Sequence, residues 1–309
     1  MLDVLAVTIP VFLLIGAGYL AVRLGAFTQG HVDGLMVFTQ RFAIPCLLFV
    51  AIARIDIGAN FQWRLLTAYY SGSLVVFAGG ILGTLFWLRR GAEDAIAVGF
   101  AAMFANTVLL GLPISERAFG TDSLGPNYAI VALHAGFCYV CGSVAMEAVR
   151  AEGSGILGGA WSVLSKLARN GLMIGVALGL AVNVTGLPVP AIVMEPVGLV
   201  AQAALPAALF GLGGVLTQYR PEGDWRGIAL CAGLALLIHP AWTWGMGRAL
   251  GVEDGAFRAA VTTAAMAPGV NSYLFAAMNG RAVRIAASTV LIGTVASVFT
   301  VSLWLLALG

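Results

Sequence analysis

Asn106-Thr107-Val108-Leu109-Leu110-Gly111-Leu112-Pro113 and, about 160 residues further on, Met266-Ala267-Pro268-Gly269-Val270-Asn271-Ser272-Tyr273 place Asn, Gly and Pro in the middle of two otherwise apolar segments. A proline inside a helix removes a backbone hydrogen bond and clashes with the preceding turn, at about 3 kcal/mol. Two such interruptions at matching places need a reason. Each segment also opens on the same pattern, Gly91-Ala92-Glu93-Asp94 and Gly251-Val252-Glu253-Asp254. Matching broken helices in the two halves of a membrane protein build a substrate site near the bilayer midplane, so the pattern points to a secondary transporter.

Composition agrees with a membrane setting. Of the 309 residues 60% are hydrophobic and only 10% charged, and the mean hydropathy is +0.96. Apolar runs near the roughly 20 residues that cross a hydrocarbon core recur along the whole chain. Ten are read, at about 4–22, 34–53, 64–88, 94–118, 124–149, 167–186, 196–217, 225–249, 255–279 and 283–307. The longest polar interval, 151–166, divides the chain into halves of five helices, 1–150 and 167–309. Five is odd, so the second half enters the membrane from the opposite side and the repeat is inverted. Ala43-Ile44-Pro45-Cys46-Leu47-Leu48-Phe49 resembles Ala204-Leu205-Pro206-Ala207-Ala208-Leu209-Phe210, with four identities in seven, at an offset of 161, close to the 160 between the Glu-Asp pairs.

The first run carries Asp3 before it and its first arginine, Arg23, after it, the wrong order for a secretory signal. Cytoplasmic loops are enriched in Lys and Arg. One set of alternate connections holds eleven basic residues, from Arg23 to Arg284, and the other holds five, Arg54, Arg64, Arg117, Arg248 and Arg258. Both termini are therefore expected outside the cell membrane and the linker inside. The net charge of +2 comes without a basic block, so nucleic acid is not an expected partner.

An unwound helix in lipid leaves N–H and C=O groups that protein, water or a ligand must satisfy. The amides that begin each second half-helix suit a carboxylate. Asn106 and Asn271 add amides that donate or accept, and Thr107 and Ser272 add hydroxyls. No arginine lies in either interruption, so dipoles and amides would hold an anion. Such a site favours moderate affinity and release.

These residues also carry a family resemblance. ANTVLLGLPI (105–114) resembles the fourth-helix motif of the auxin efflux carrier family, which includes plant auxin exporters and bacterial carriers assigned to malonate and other carboxylates. APGVNSYLFA (267–276) resembles its ninth-helix motif, and VFLLIGAGYLAVRLGAF (11–27) and RFAIPCLLF (41–49) are similar to its first two helices. The resemblance implies an all-α polytopic fold of ten helices in two inverted repeats, with helices four and nine crossing at their breaks. Asn106 and Pro268 would sit at the crossing, with Gly111, Pro113 and Gly269 shaping the breaks. A transport domain of helices 3–5 and 8–10 would move, elevator-like, against a scaffold of helices 1, 2, 6 and 7, and the carrier would be a homodimer. Two departures matter: Ala105 stands where plant members have proline, so the break is gentler or centred on Gly111, and Asn271 stands where they carry an apolar residue. A small polar anion then fits better than an aromatic one.

A charge at a helix centre costs about 2.5–3.5 kcal/mol on insertion scales, which draws notice to Glu147, His134 and His239. Glu147 is read as a surface partner of Arg150, three residues on. His239 beside Pro240 is read as a packing feature that satisfies a freed carbonyl. His134 falls near the middle of the fifth helix, where the resemblance places a polar residue near the substrate, and its titration near neutrality would couple transport to protons. Cys46, Cys138, Cys141 and Cys231 are read as buried small side chains, Gly211, Gly213 and Gly214 as sites of close helix packing, and the Glu-Asp pairs as helix caps. No phosphate loop, metal set or cofactor site is recognised.

The leading reading is a carrier of a mono- or dicarboxylate such as malonate, in the plasma membrane. A sodium-coupled symporter of the related bile acid carrier type is the alternative, and a channel is a further one. An intramembrane enzyme built on Glu147, His134 and Ser143 is disfavoured, since His134 and Ser143 lie nine residues apart on one helix, about 13 Å.

Overall fold

A computed structural model describes residues 2–150 and 170–309. The linker expected at 151–166 lies outside the described residues. Those residues are helical, without a β-strand among them. Among the described residues seven helices are long and apolar enough to cross a membrane: α1 (Val4–Arg23), α2 (Gln29–Arg54), α3 (Trp63–Trp87), α6 (Gly125–Arg150), α8 (Ala191–Leu216), α9 (Trp225–Ala249) and α12 (Val283–Leu308). The shorter α7 spans Gly171–Thr185. The fourth and ninth runs are each two pieces, α4 (Ala92–Met103) with α5 (Leu112–Phe119), and α10 (Asp254–Ala264) with α11 (Val270–Asn279). That is why fewer single helices qualify than the ten apolar runs.

Helix ends follow local chemistry. Asn170 Oδ1 accepts from the Leu172 amide at 2.9 Å to start α7, and Asp224 Oδ1 accepts from Arg226 at 3.0 Å to start α9. Gly280 closes α11 at φ 65°, a left-handed conformation that favours glycine.

Three prolines inside the spans are met in a common way. Pro45, Pro113 and Pro240 each lie two residues beyond a π-helical turn, at Thr39–Ala43, Thr107–Gly111 and Leu234–Ile238. The wider turn makes room for a ring that lacks an N–H. A proline therefore need not end a helix in this chain.

The described residues group into two compact units. One draws on Met1–Ile9, Phe61–Val163 and Tyr219–Gly309, the other on Pro10–Asn60 and Leu164–Gln218. In the second unit glycines let backbones approach. A β-carbon on Gly175 would collide with the Pro45 carbonyl, and one on Gly213 with that of Ile15. Asn183 Nδ2 fastens α7 to the end of α2, donating to the carbonyls of Ile52 (3.0 Å), Ala53 (3.3 Å) and Ile55 (2.7 Å). The first unit has a core of Leu65, Tyr69, Ile130, Phe257 and Val261, all at most 1% exposed, and it contains both interrupted segments.

Candidate functional site

The two interruptions are bonded to each other. The Asn106 amide donates to the Ala267 carbonyl at 2.8 Å, and the Gly269 amide donates to the Phe104 carbonyl at 2.9 Å. Ala105 and Pro268 thereby form an antiparallel backbone pair. Unwinding the helices would leave these polar groups without partners in an apolar interior, and each segment supplies what the other lacks.

The first break is sharper, and earlier, than the sequence suggests. The chain leaves helical geometry at Phe104 (ψ 82°) and Asn106 (ψ 66°). Gly111 is helical within the π turn, and Pro113 lies in the first turn of α5. The π turn absorbs Pro113, so the break falls nearer the N-terminus, at Ala105. Gly111 instead packs on the second segment: a β-carbon there would lie 3.6 Å from Met266 Cγ and 3.8 Å from Thr263 Cγ2. Gly293 of α12 similarly faces Pro268, whose Cδ would lie 3.2 Å from an added β-carbon. Gly293 escapes a sequence reading because a lone glycine in an apolar helix has no distinguishing neighbour.

Asn106 has two tasks available. Its Oδ1 accepts from the Leu109 amide at 3.2 Å and caps the helix that follows, while its Nδ2 is buried with no partner in the protein. Buried donors are nearly always bonded, so this one is free for an acceptor. Thr107, 5% exposed, lies beside it. Ser272 is fully buried, and its hydroxyl points at the carbonyls of Ala101 and Phe104, 3.5 Å from each, which the break leaves at the end of α4. It is engaged in holding the break.

Asn271 lies on α11, and its Oδ1 accepts from Tyr139 Oη at 3.4 Å. Tyr139 also packs its ring against Phe100, Phe104 and Phe275. The sequence gives no sign of this role, since a tyrosine in an apolar helix reads as core. His134 is 2% exposed and reaches the first break through Phe104, whose ring centroid lies 4.9 Å away. Its Nδ1 lies 3.4 Å from Tyr69 Oη and 3.8 Å from Cys138 Sγ.

Charge is kept away from this region, for no Asp, Glu, Lys or Arg is buried among the described residues. At the start of α4, Glu93 pairs with Arg150 at 2.9 Å and with Arg281 at 3.0 Å. The hydrogen bond from Arg150 does most to hold the Glu93 carboxyl below its ordinary range. Arg150 thus pairs with Glu93 rather than with Glu147, because the helix that begins at Ala92 brings a better-placed carboxylate. His239 does not take up the carbonyl freed by Pro240 either: Trp304 Nε1 donates to Leu236 at 3.0 Å, and His239 faces α3. The four cysteines are free thiols, with no metal-binding group among the described residues.

A family model described as a membrane transport protein matches residues 3–155 and 159–305. The chain is 24% identical over 315 residues to an "Uncharacterized transporter" of Methanothermobacter thermautotrophicus, covering 96% of this chain and 95% of that protein. It is 24% identical over 303 residues to a "Putative malonate transporter" of Rhizobium meliloti, covering 98% and 95%. Over 134 residues it is 30% identical to "Auxin efflux carrier component 2" of Arabidopsis thaliana, 43% of this chain and 21% of that protein.

Proposed function

The chain belongs to the membrane transport protein family, whose relatives include an auxin efflux carrier component, and from that premise we propose that it is a carrier of a small organic anion, a mono- or dicarboxylate such as malonate. It is a multi-pass membrane protein and a transporter, not an enzyme. The observation that carries the substrate class is the paired break with Asn106 Nδ2 beside it, a buried donor without a protein partner in a region that holds no fixed charge. A carboxylate accepts from such a donor, and helix N-termini favour its charge.

In this reading α4 with α5 and α10 with α11 each make one crossing, giving ten in two inverted repeats. The antiparallel sense of the Ala105 and Pro268 pairing supports that count, as does the placing of both interrupted segments in one compact unit. That unit is the moving transport domain, and the unit of α2, α7, α8 and most of α1 is the scaffold and homodimer platform. Asn106, Thr107 and Asn271 contact the anion, Tyr139 orients Asn271, and Pro268, Gly269 and Ser272 hold the break. The protein resides in the plasma membrane with both termini outside.

The coupling ion is a proton in the first reading, with His134 as its carrier. Sodium is the second reading, and one observation favours it. Asn127 Nδ2 donates to Ser115 Oγ at 3.0 Å and Thr263 Oγ1 at 2.8 Å, and Asn127 Oδ1 is buried without a partner. These neutral oxygens come from α5, α6 and α10.

The test is counterflow in proteoliposomes. Labelled malonate outside should accumulate against unlabelled malonate inside, with saturation, and short carboxylates should compete while aromatic acids and amino acids do not. Competition by neutral solutes alone would overturn the anion assignment. Linear, non-exchanging flux would indicate a channel, and a strict requirement for sodium over potassium would move the coupling to the second reading.

A further inference from the structure

Two histidines are buried in the first unit, and both stand against one tyrosine. His134 on α6 is 2% exposed and His239 on α9 fully buried. The ring of Tyr69 on α3 lies against both, with centroid distances of 5.8 Å to His134 and 5.0 Å to His239. The imidazoles are therefore within about 11 Å of each other. His134 Nδ1 faces the Tyr69 hydroxyl at 3.4 Å, while His239 Nε2 lies 3.3 Å from the Tyr69 carbonyl and 3.2 Å from Ser73 Oγ. His239 Nδ1 and the Thr243 hydroxyl are both buried without a partner. Gly72 makes the space for this arrangement, since a β-carbon there would come within 2.9 Å of the His239 ring and 3.0 Å of Thr243 Oγ1.

We infer that His134 and His239 form one proton-binding site, shared across Tyr69, that takes up a single proton.

The argument rests on what else is available. Among the described residues no carboxylate, lysine or arginine is buried, so these imidazoles are the buried groups whose ordinary titration falls near neutrality. The titratable groups facing the pair are Tyr69 and Tyr70 on α3 and Cys138 on α6. Phe104, just past the end of α4, and, on α9, Thr243 add no charge to the surroundings. An imidazolium at His134 can donate to the Tyr69 hydroxyl 3.4 Å away, and one at His239 to the Tyr69 carbonyl at 3.3 Å and Ser73 Oγ at 3.2 Å. Two imidazolium ions within 11 Å in a protein interior would displace each other's titration by about one pH unit or more. One proton is favoured by the tyrosine; a second is opposed by the first.

This gives His239 a function beyond packing, and a physical path by which protonation at α9 is felt at the first break, through Tyr69, His134 and Phe104. It rests on the carrier reading for its purpose, but its test does not need transport. The chain has three histidines. The third, His31, is exposed and caps α2 with Thr28, so it serves as an internal reference.

The experiment is an NMR pH titration of histidine-labelled protein in nanodiscs, with His31→Gln, His134→Gln and His239→Gln for assignment. In a site that holds one proton only the second protonation is displaced, so the ring of the pair with the lower midpoint should move up by about one unit when the other is replaced by Gln, the ring with the higher midpoint should move less, and His31 should respond to neither. Coupling energy is reciprocal, so should one variant fail to fold, each wild-type ring must still show a second step at the other's midpoint. Midpoints that ignore the partner substitution, or the absence of any titration of both rings between pH 4 and 8, would overturn the proposal. Parallel malonate counterflow separates the two claims. Coupled titration without carboxylate exchange sinks the carrier reading and leaves the proton site, and exchange with uncoupled histidines does the reverse.

Discussion

Arg117 Nη2 lies 3.0 Å from the carbonyl of Ala6, the group that Pro10 leaves without its helical partner. Its Nε donates to Val7 at 3.0 Å as well. Trp304 does the same for Leu236, four residues before Pro240. Pro10 and Pro240 are thus tolerated because side chains from elsewhere in the chain take up the freed carbonyls.

A double-mutant cycle tests this at α1. Arg117→Met should lower the thermal unfolding midpoint in detergent by a few degrees, for a loss of about 1 kcal/mol, the usual net value of a hydrogen bond. Pro10→Ala restores an N–H for Ala6, so the same arginine substitution should cost clearly less in that background. Equal costs in both backgrounds would show that Arg117 acts independently of the proline.

Asn106 is expected to serve binding beyond its cap. Asn106→Asp keeps an oxygen that caps the Leu109 amide but replaces the free donor with a carboxylate. Apparent malonate affinity should fall tenfold or more, and the thermal midpoint should drop too, because a charge buried in this region costs about 2.5–3.5 kcal/mol. Asn106→Ala loses the cap as well, at about 0.5–2 kcal/mol. Asn271→Ala and Tyr139→Phe should each weaken affinity several-fold with folding intact, as judged by counterflow KM and unfolding midpoint. Unchanged KM in the Asn106 and Asn271 variants would remove both from the site.

What could be read from the sequence divides along a physical line. Apolar run length and local Asn, Gly and Pro are properties of neighbouring residues, so the helical membrane class and the two interruptions were visible without coordinates. The position of the first break was not, because Pro113 is accommodated by a π turn and the break at Ala105 is fixed by backbone pairing with Ala267 and Pro268, far away in the chain. Pairings were the least visible. Arg150 has Glu147 one turn away, yet its partner is Glu93, 57 residues distant and 2.9 Å away. Tyr139, Trp304 and Gly293 act through contacts across helices, and nothing in their own flanking residues marks them.

Glycine spacing in the second unit yields a prediction with its own control. Gly213→Ala and Gly18→Ala place a methyl onto the backbone carbonyls of Ile15 and Phe210. Backbone cannot yield as a side chain does, so overpacking should cost at least about 1–3 kcal/mol and lower the yield of folded protein. Gly16, on the same helix, has nothing within 4 Å of an added β-carbon. Gly16→Ala should be neutral or slightly stabilising, by up to about 1 kcal/mol. A Gly213→Ala protein as stable as Gly16→Ala would contradict the close approach.

Glu93 gives the pH dependence. Its carboxyl is held below the ordinary value of 4.5, first by the hydrogen bond from Arg150 and then by Arg281. A group whose folded-state pKa is lowered contributes stability that is full above its unfolded value and is lost as pH falls through the folded one. The unfolding midpoint of Glu93→Gln should therefore lie below wild type by a constant margin from pH 8 down to about 5, and the margin should close as pH falls on through the lowered folded-state value. The pairs are partly exposed, so the margin should also shrink in molar salt. The matching acidic pair of the other half behaves differently, because Asp254 meets Arg248 only at 3.7 Å with both side chains more than half exposed. Asp254→Asn should accordingly leave the midpoint unchanged at every pH. An equal effect of both substitutions would mean that the two ends are tied alike in solution, and the asymmetry drawn from Arg150 and Arg281 would not hold.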